Sequence, residues 1–183
     1  IANVLLNTKL DNFDIENKSV NISGVKKTFD IIVNTISPDI LFDFCYGELP
    51  YIGRDFHKIV FPVENVFPEN IYFQYYGGEE KFSRLVEYKK FTHHKSSTSL
   101  IGMEIPSSNN KHYPIPIIKQ MKLAERYFQL MPEGVYSIGR AGSYRYQIDI
   151  DDCIDQAIVL AEILKTGGNS LHPVVIEKWR ELS

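Results

Sequence analysis

The feature that most constrains this chain is a change of hydrophobic period along its length. Four runs, Phe56–Phe61, Ile71–Tyr76, Leu85–Phe91 and Ser99–Ile105, are rich in aromatic and β-branched residues. Pro62, Pro68, Gly77-Gly78 and a polar stretch from His93 to Ser97 separate them. This punctuation predicts an antiparallel meander of four strands, with aromatics such as Phe73, Tyr75, Tyr88 and Phe91 packed on one face. On either side the period becomes helical. Ile117, Met121, Ala124 and Phe128 recur at spacings of four, three and four before Met131-Pro132. Ile150, Ile154, Ala157, Ala161 and Leu164 form a second stripe. Asp149, Asp151 and Asp152 stand at its start, where a helix favours anions, and Gly167-Gly168 stand at its end.

Shorter elements complete the pattern. An apolar run opens the chain at Ile1–Leu6. A hairpin around Val20 and Ile22 breaks at Gly24 before a buried strand at Phe29–Thr35, and Ser37-Pro38-Asp39 opens a helix to about Tyr46. Val135–Gly139 reads as one buried strand entering the turn Gly139–Gly142, and a terminal amphipathic helix is expected from His172-Pro173 through Trp179 and Leu182. The fold class is therefore α/β, in the mixed α+β sense. A strand, a glycine turn and an acid-capped helix in succession form a place where a ligand can meet a helix N-terminus.

Composition removes several functions. The 183 residues suffice for one domain or two small ones with a real core, and 20 basic against 23 acidic residues leave a net charge of -3. No overall positive field is present to hold nucleic acid, which is not expected as a partner. Two cysteines, Cys45 and Cys153, make neither a disulfide framework nor a zinc site, so a reducing, cytoplasmic setting fits. No apolar window long enough for a membrane span and no signal peptide is found. The chain starts at Ile1 with a strand-like pattern at once, and is read as a piece of a longer protein.

Serine-hydrolase elbows, Walker loops, zincin motifs and the glycine-rich dinucleotide fingerprint are all missing from the sequence. His93-His94 would point to opposite faces of a strand with no suitably spaced acid or cysteine, so no metal site is expected. Asp149–Asp152 suits a cation or, more simply, helix capping. Arginines and tyrosines near turns carry more information, because a planar guanidinium and a phenol together suit a diphosphate and a sugar ring. The candidates are Arg84, Arg140, Arg145, Tyr113, Tyr144 and Tyr146, with Tyr113 held extended by Pro114. Arg84 has a second reading as a cross-strand partner of Glu87 or Glu104.

At these residues the sequence resembles the UDP-galactopyranose mutase family. The similar segments are Phe42-Asp43-Phe44 with Gly47–Tyr51, Ser83–Phe91, Tyr113-Pro114-Ile115 and Gly139–Tyr146, in family order across about Phe29 to Leu164. The resemblance covers the C-terminal part of such an enzyme. It implies an antiparallel substrate-domain sheet plus the last strand and helix of a flavin-binding, Rossmann-like domain. Residues 1–36 would complete the flavin domain, 37–132 would form the substrate-domain meander with flanking helices, and 133–183 would be the return strand and C-terminal helices.

The same resemblance implies the chemistry. In the family, reduced FAD attacks the anomeric carbon of UDP-galactopyranose through N5, UDP leaves, and the sugar on the flavin opens and recloses as the furanose, without net redox change. Arg84 resembles the catalytic arginine that binds the diphosphate and stabilises departing UDP, and Tyr113 and Tyr146 resemble the tyrosines on its phosphates. Arg140, Tyr146, Asp149 and Asp151 are the implied contacts to FAD, with the choice of acid within Asp149–Asp152 open. The dinucleotide motif and uridine-stacking aromatics belong upstream, so the partners implied are UDP-galactose or a related UDP-hexose and an N-terminal half. The isolated chain is expected to be inactive. A non-catalytic sugar-nucleotide-binding module and an FAD oxidoreductase of the amine-oxidase type remain alternatives, and homo-oligomerisation is open.

Overall fold

A computed structural model of the chain describes residues 2–167 and 173–175. The expected terminal helix through Trp179 lies outside the described residues. Two compact units are present. One comprises the described residues of Ile1–Pro50 and Tyr113–Ser183, and the other is Tyr51–His112. The division falls inside the 37–132 segment marked out from the sequence, because the residues of 37–50 and 113–132 pack with the first unit.

In the first unit, β1 (Leu10–Asp14), β2 (Ser19–Ile22) and β3 (Val25–Thr28) form an antiparallel sheet in sequence order. Ser23 and Gly24, both with positive φ, make the tight turn that pairs Ile22 with Val25. The hairpin expected there thus carries a third strand, and the opening Val4, Leu5 and Leu6 are exposed and outside any strand. β4 (Ile32–Asn34) pairs in parallel with β10 (Val135–Ser137), and Ser137 bridges in parallel to Val174.

The helices of this unit are α1 (Pro38–Leu41), α3 (Ile118–Phe128), the single turn α4 (Gly139–Gly142) and α5 (Ile150–Thr166). α1 stops far short of Tyr46. Asp39, fully buried, bonds the Ser37 hydroxyl and accepts the Leu49 amide at 2.7 Å, folding the chain back after one turn. α3 buries Ala124, Tyr127 and Phe128 while Ile117 and Met121 stay exposed. Tyr127 takes over the packing, its ring against Phe42 and Tyr46 and its hydroxyl donating to Gly47 O at 2.7 Å.

α5 departs further from expectation. Ile150, Ile154, Ala157, Ala161 and Leu164 are all exposed, and the helix instead buries Gln156 and Leu160 against Tyr136 and Val175. Gln156 wins the inner face because it accepts the Gly139 amide at 2.7 Å and donates to Val175 O at 2.8 Å and Ser143 Oγ at 3.2 Å.

The second unit is a four-stranded antiparallel sheet of β5 (Tyr51–Phe61), β6 (Phe73–Tyr75), β7 (Arg84–Glu87) and β8 (Ser99–Ser107), in the order β6-β7-β8-β5. It is not the sequential meander expected, since β5 pairs along its length with β8 rather than with β6. The run Leu85–Phe91 also divides: β7 ends at Glu87 and α2 (Tyr88–Thr92) begins. The cause is electrostatic. Buried Glu87 accepts the Val66 and Phe67 amides at 3.0 Å each and bonds the Ser99 hydroxyl, while Lys90, one helical turn on, donates to the carbonyls of Phe67, Pro68 and Ile71. Together they staple the 62–72 loop. The aromatics expected in the core are largely exposed, among them Phe73, Tyr75, Tyr88 and Phe91.

Candidate functional site

In the second unit, alternation along the strands puts Arg84, Glu104, Tyr75 and Arg54 on one face, since Arg84 pairs with both Tyr75 and Glu104 and Arg54 pairs with Pro106. Glu104 is the centre of this group, with only 3% of its side chain exposed. Arg84 Nη2 donates to Glu104 Oε1 at 2.7 Å, and Arg54 Nη1 donates to Oε2. Arg84 Nη1 also donates to the Tyr75 hydroxyl at 3.2 Å, and its guanidinium lies 5.7 and 5.5 Å from the ring centres of Phe73 and Tyr75. Of the two readings of Arg84 as an ion-pair partner, the structure selects Glu104; Glu87 points to the opposite face.

Beside the pair opens a cleft of about 460 Å³ walled by Phe73, Val86, Tyr88 and Phe91. Gly102 makes room for it. A Cβ there would come within 2.4 Å of the Tyr88 ring, so only glycine lets that ring lie over the sheet. Burial and the Glu104 charge raise the Tyr88 pKa, and Arg84 opposes them. Burial alone would lower the pKa of Arg84, but Glu104 and Tyr75 outweigh it and hold the arginine firmly charged. A permanent cation on aromatic walls is suited to an anionic group attached to a ring.

In the first unit the chain gathers four of the residues singled out from the sequence. Tyr113 (in β9, Tyr113–Pro114) and Tyr146 stand with ring centres 6.0 Å apart, and the Arg140 guanidinium lies 5.1 Å from the Tyr113 ring. Arg140 Nε donates to Ile148 O at 2.6 Å and its Nη2 pairs with Asp149. Asp149 is also the N-cap of α5 in a reciprocal capping box with Asp152, whose carboxylate accepts the Asp149 amide at 2.9 Å. Asp151 is exposed at the second position of the helix. Tyr144 is separate from this group: buried, it donates to Pro50 O and Ile115 O, and burial pushes its pKa up to about 12.

Sequence reasoning passed over Arg54, Gly102 and Gln156, and took Glu104 only as a pairing option. An arginine and a glutamate fifty residues apart carry no local signal; only strand register sets them side by side. Among the described residues no group of three or more His, Cys, Asp or Glu side chains is placed to hold a metal ion. No helix among them is long and apolar enough to cross a membrane.

A parallel strand pair running into a glycine turn and an acid-capped helix, in a chain that also builds an arginine-bearing antiparallel sheet, defines a mixed α/β protein. The model of the UDP-galactopyranose mutase family matches residues 1–146, and the chain belongs to that family. A crystal structure of a reduced UDP-galactopyranose mutase resembles it with a TM-score of 0.65 and 16% identity, a likeness of fold. That likeness covers 87% of this chain and 46% of the mutase, so the chain spans less than half the length of that protein. No curated protein matches the sequence.

Mutases of this family are in general flavoproteins. The residues present fit one wall of such a cofactor site. Gly139, at φ +76°, keeps the turn open: among the described residues its absent Cβ would have only Cys153 Sγ, at 3.9 Å, as a neighbour. Arg140 and the two phenols supply N–H and O–H donors beside it. The glycine-rich motif for a dinucleotide is not within the chain.

Proposed function

We propose that this chain is the C-terminal part of a flavin-dependent isomerase that interconverts UDP-galactopyranose and UDP-galactofuranose. The observation that carries the reading is Arg84, a charge locked on an aromatic-walled cleft in a chain that belongs to the mutase family. Arg84 binds the diphosphate and stabilises UDP as it leaves, where a guanidinium fixed in advance costs no reorganisation as charge develops. By resemblance to the family, Tyr113 and Tyr146 are assigned to the phosphates, and Arg140 and Tyr146, with Asp149 or Asp151, to the FAD. When bound in its reduced form the flavin supplies the nucleophile that displaces UDP from the sugar. Orientation and charge stabilisation are what the chain itself contributes. The free cysteines Cys45 and Cys153 support a cytoplasmic setting.

The 183-residue chain alone is inactive under this proposal, because the dinucleotide motif is not among its residues. Incubation of UDP-galactofuranose with dithionite-reduced FAD, followed by chromatography of the nucleotide sugars, tests both parts. The longer parent protein converts the furanose to the pyranose and the 183-residue chain does not. Turnover by the chain alone overturns its inactivity, and a parent without turnover overturns the mutase assignment.

One observation favours a second reading. Arg84, Glu104 and Arg54 sit together inside the Tyr51–His112 unit, so a nucleotide sugar has a binding group there that needs no flavin. UDP binding without flavin that weakens in Arg84→Ala, in a parent that shows no turnover, marks a non-catalytic sugar-nucleotide-binding module.

A further inference from the structure

The carboxylate beneath Arg84 is an unexpected companion for a residue meant to hold an anion. Glu104 is itself negative, almost wholly buried, and adjoins the cleft. By charge alone it weakens phosphate binding. Its geometry argues for another role. One carboxylate oxygen is taken by Arg84 and the other by Arg54, so the glutamate is spent on two cations and the three groups together keep one net positive charge. Each guanidinium is only partly exposed, 21% of the Arg54 side chain and 26% of Arg84.

For Arg84 the consequence is directional. Its bonds to Glu104 and to the Tyr75 hydroxyl each use one N–H on a terminal nitrogen, which leaves a second N–H on each. Its Nε is buried without a hydrogen-bond partner among the described residues. Two rings restrict the guanidinium plane. A long side chain that would otherwise sample many rotamers is thereby held in one orientation with donors to spare.

The geometry points to Glu104 as the positioning residue for Arg84, with Arg54 as its second anchor. The claim deepens the reading of Arg84 as the diphosphate ligand and rests on it. Arg54 balances the carboxylate, so the orientation is gained without cancelling the charge that attracts the phosphates.

The test follows the Arg84 Nε–H signal by ¹⁵N NMR in the 183-residue chain, first alone and then titrated with UDP. In the parent sequence the signal is sharp and dispersed, and UDP shifts it. In Glu104→Gln it collapses toward the averaged arginine position, and UDP affinity falls about tenfold although a negative charge has been removed. If Glu104 acted only through its charge, affinity would rise, and that result overturns the proposal; so does an Arg84 signal that stays sharp and dispersed in Glu104→Gln. The double variant Glu104→Gln/Arg54→Met, with the same expected collapse, keeps the test open if two unbalanced arginines prevent folding of the single one. UDP that leaves the signal unmoved in the parent sequence overturns the diphosphate reading instead, which the signal in free protein tells apart from failure of the positioning role.

Discussion

Each compact unit presents an arginine held by a carboxylate, but the two carboxylates live in different media. Glu104 is 3% exposed, lies on a sheet face and serves two arginines; Asp149 is 74% exposed, caps a helix and serves one. The Coulomb attraction between bare charges is similar at such distances, yet water reaches the Asp149 carboxylate freely and the Glu104 carboxylate hardly at all. A buried pair is costly to assemble and more costly to break, because the surviving partner is stranded. The same chemical motif therefore ties an arginine to a nearly buried carboxylate in one unit and to a largely exposed one in the other.

That contrast is sharpened most by Glu104→Ala. It should lower stability by about 3 kcal/mol, toward the low end for a broken buried pair because both guanidiniums can partly rehydrate. Urea unfolding followed by circular dichroism reads the loss; a change under about 1 kcal/mol would show that the pair is screened like a surface one.

Acid should reveal the other buried carboxylate of the sheet. Burial alone would raise the Glu87 pKa, but the Ser99 hydroxyl, the Phe67 and Val66 amides and Lys90 bring it down from 4.5 to about 2. Its stabilisation, on the order of 3 kcal/mol, is present in full above pH 4.5 and is lost as the pH falls from there toward 2. Urea midpoints measured across that window should fall with pH in the parent sequence. In Glu87→Gln the fall should be smaller by this amount, and parallel profiles would remove Glu87 as the cause.

In the first unit the expected effects are smaller. Tyr144→Phe should cost about 1–2 kcal/mol, since the Pro50 and Ile115 carbonyls lose a buried donor while the ring still packs. Thermal unfolding of the two proteins decides this, and an unchanged midpoint would mean that water replaces the hydroxyl. Arg140→Ala should cost under about 1 kcal/mol, as exposed ion pairs do. If its urea-unfolding loss equals that of Glu104→Ala, the distinction between the two media fails.

Much of the fold was legible in local pattern. Pro62 and Gly77-Gly78 bounded real strands, Asp149 capped α5, and Gly167 closed it in the left-handed conformation that a side chain disfavours. Apolar spacing reports that a stripe exists, not that it is covered within the unit, and so Ile150, Ile154 and Leu164 of α5 were expected inside although they are exposed. Glu87 shows the reverse: the run Leu85–Phe91 reads as strand throughout, yet one carboxylate with loop amides to satisfy turned half of it into a helix.

The candidate site divides in the same way. Tyr113, Arg140, Tyr146 and Asp149 were legible because residue type at short spacing places three of them around one turn, and Pro114 fixes the backbone of the fourth. By itself the sequence determined the mixed α/β class, the sequence resemblance to the mutase family and the arginine on which the chemistry is proposed to turn. Only the tertiary structure decided what holds that arginine. Arg54, Arg84 and Glu104 are 30 and 20 residues apart along the chain, and no periodicity links them. They meet because β5, β7 and β8 pair in one antiparallel register, which puts their side chains on one face, and because burial there makes a single carboxylate bind both cations.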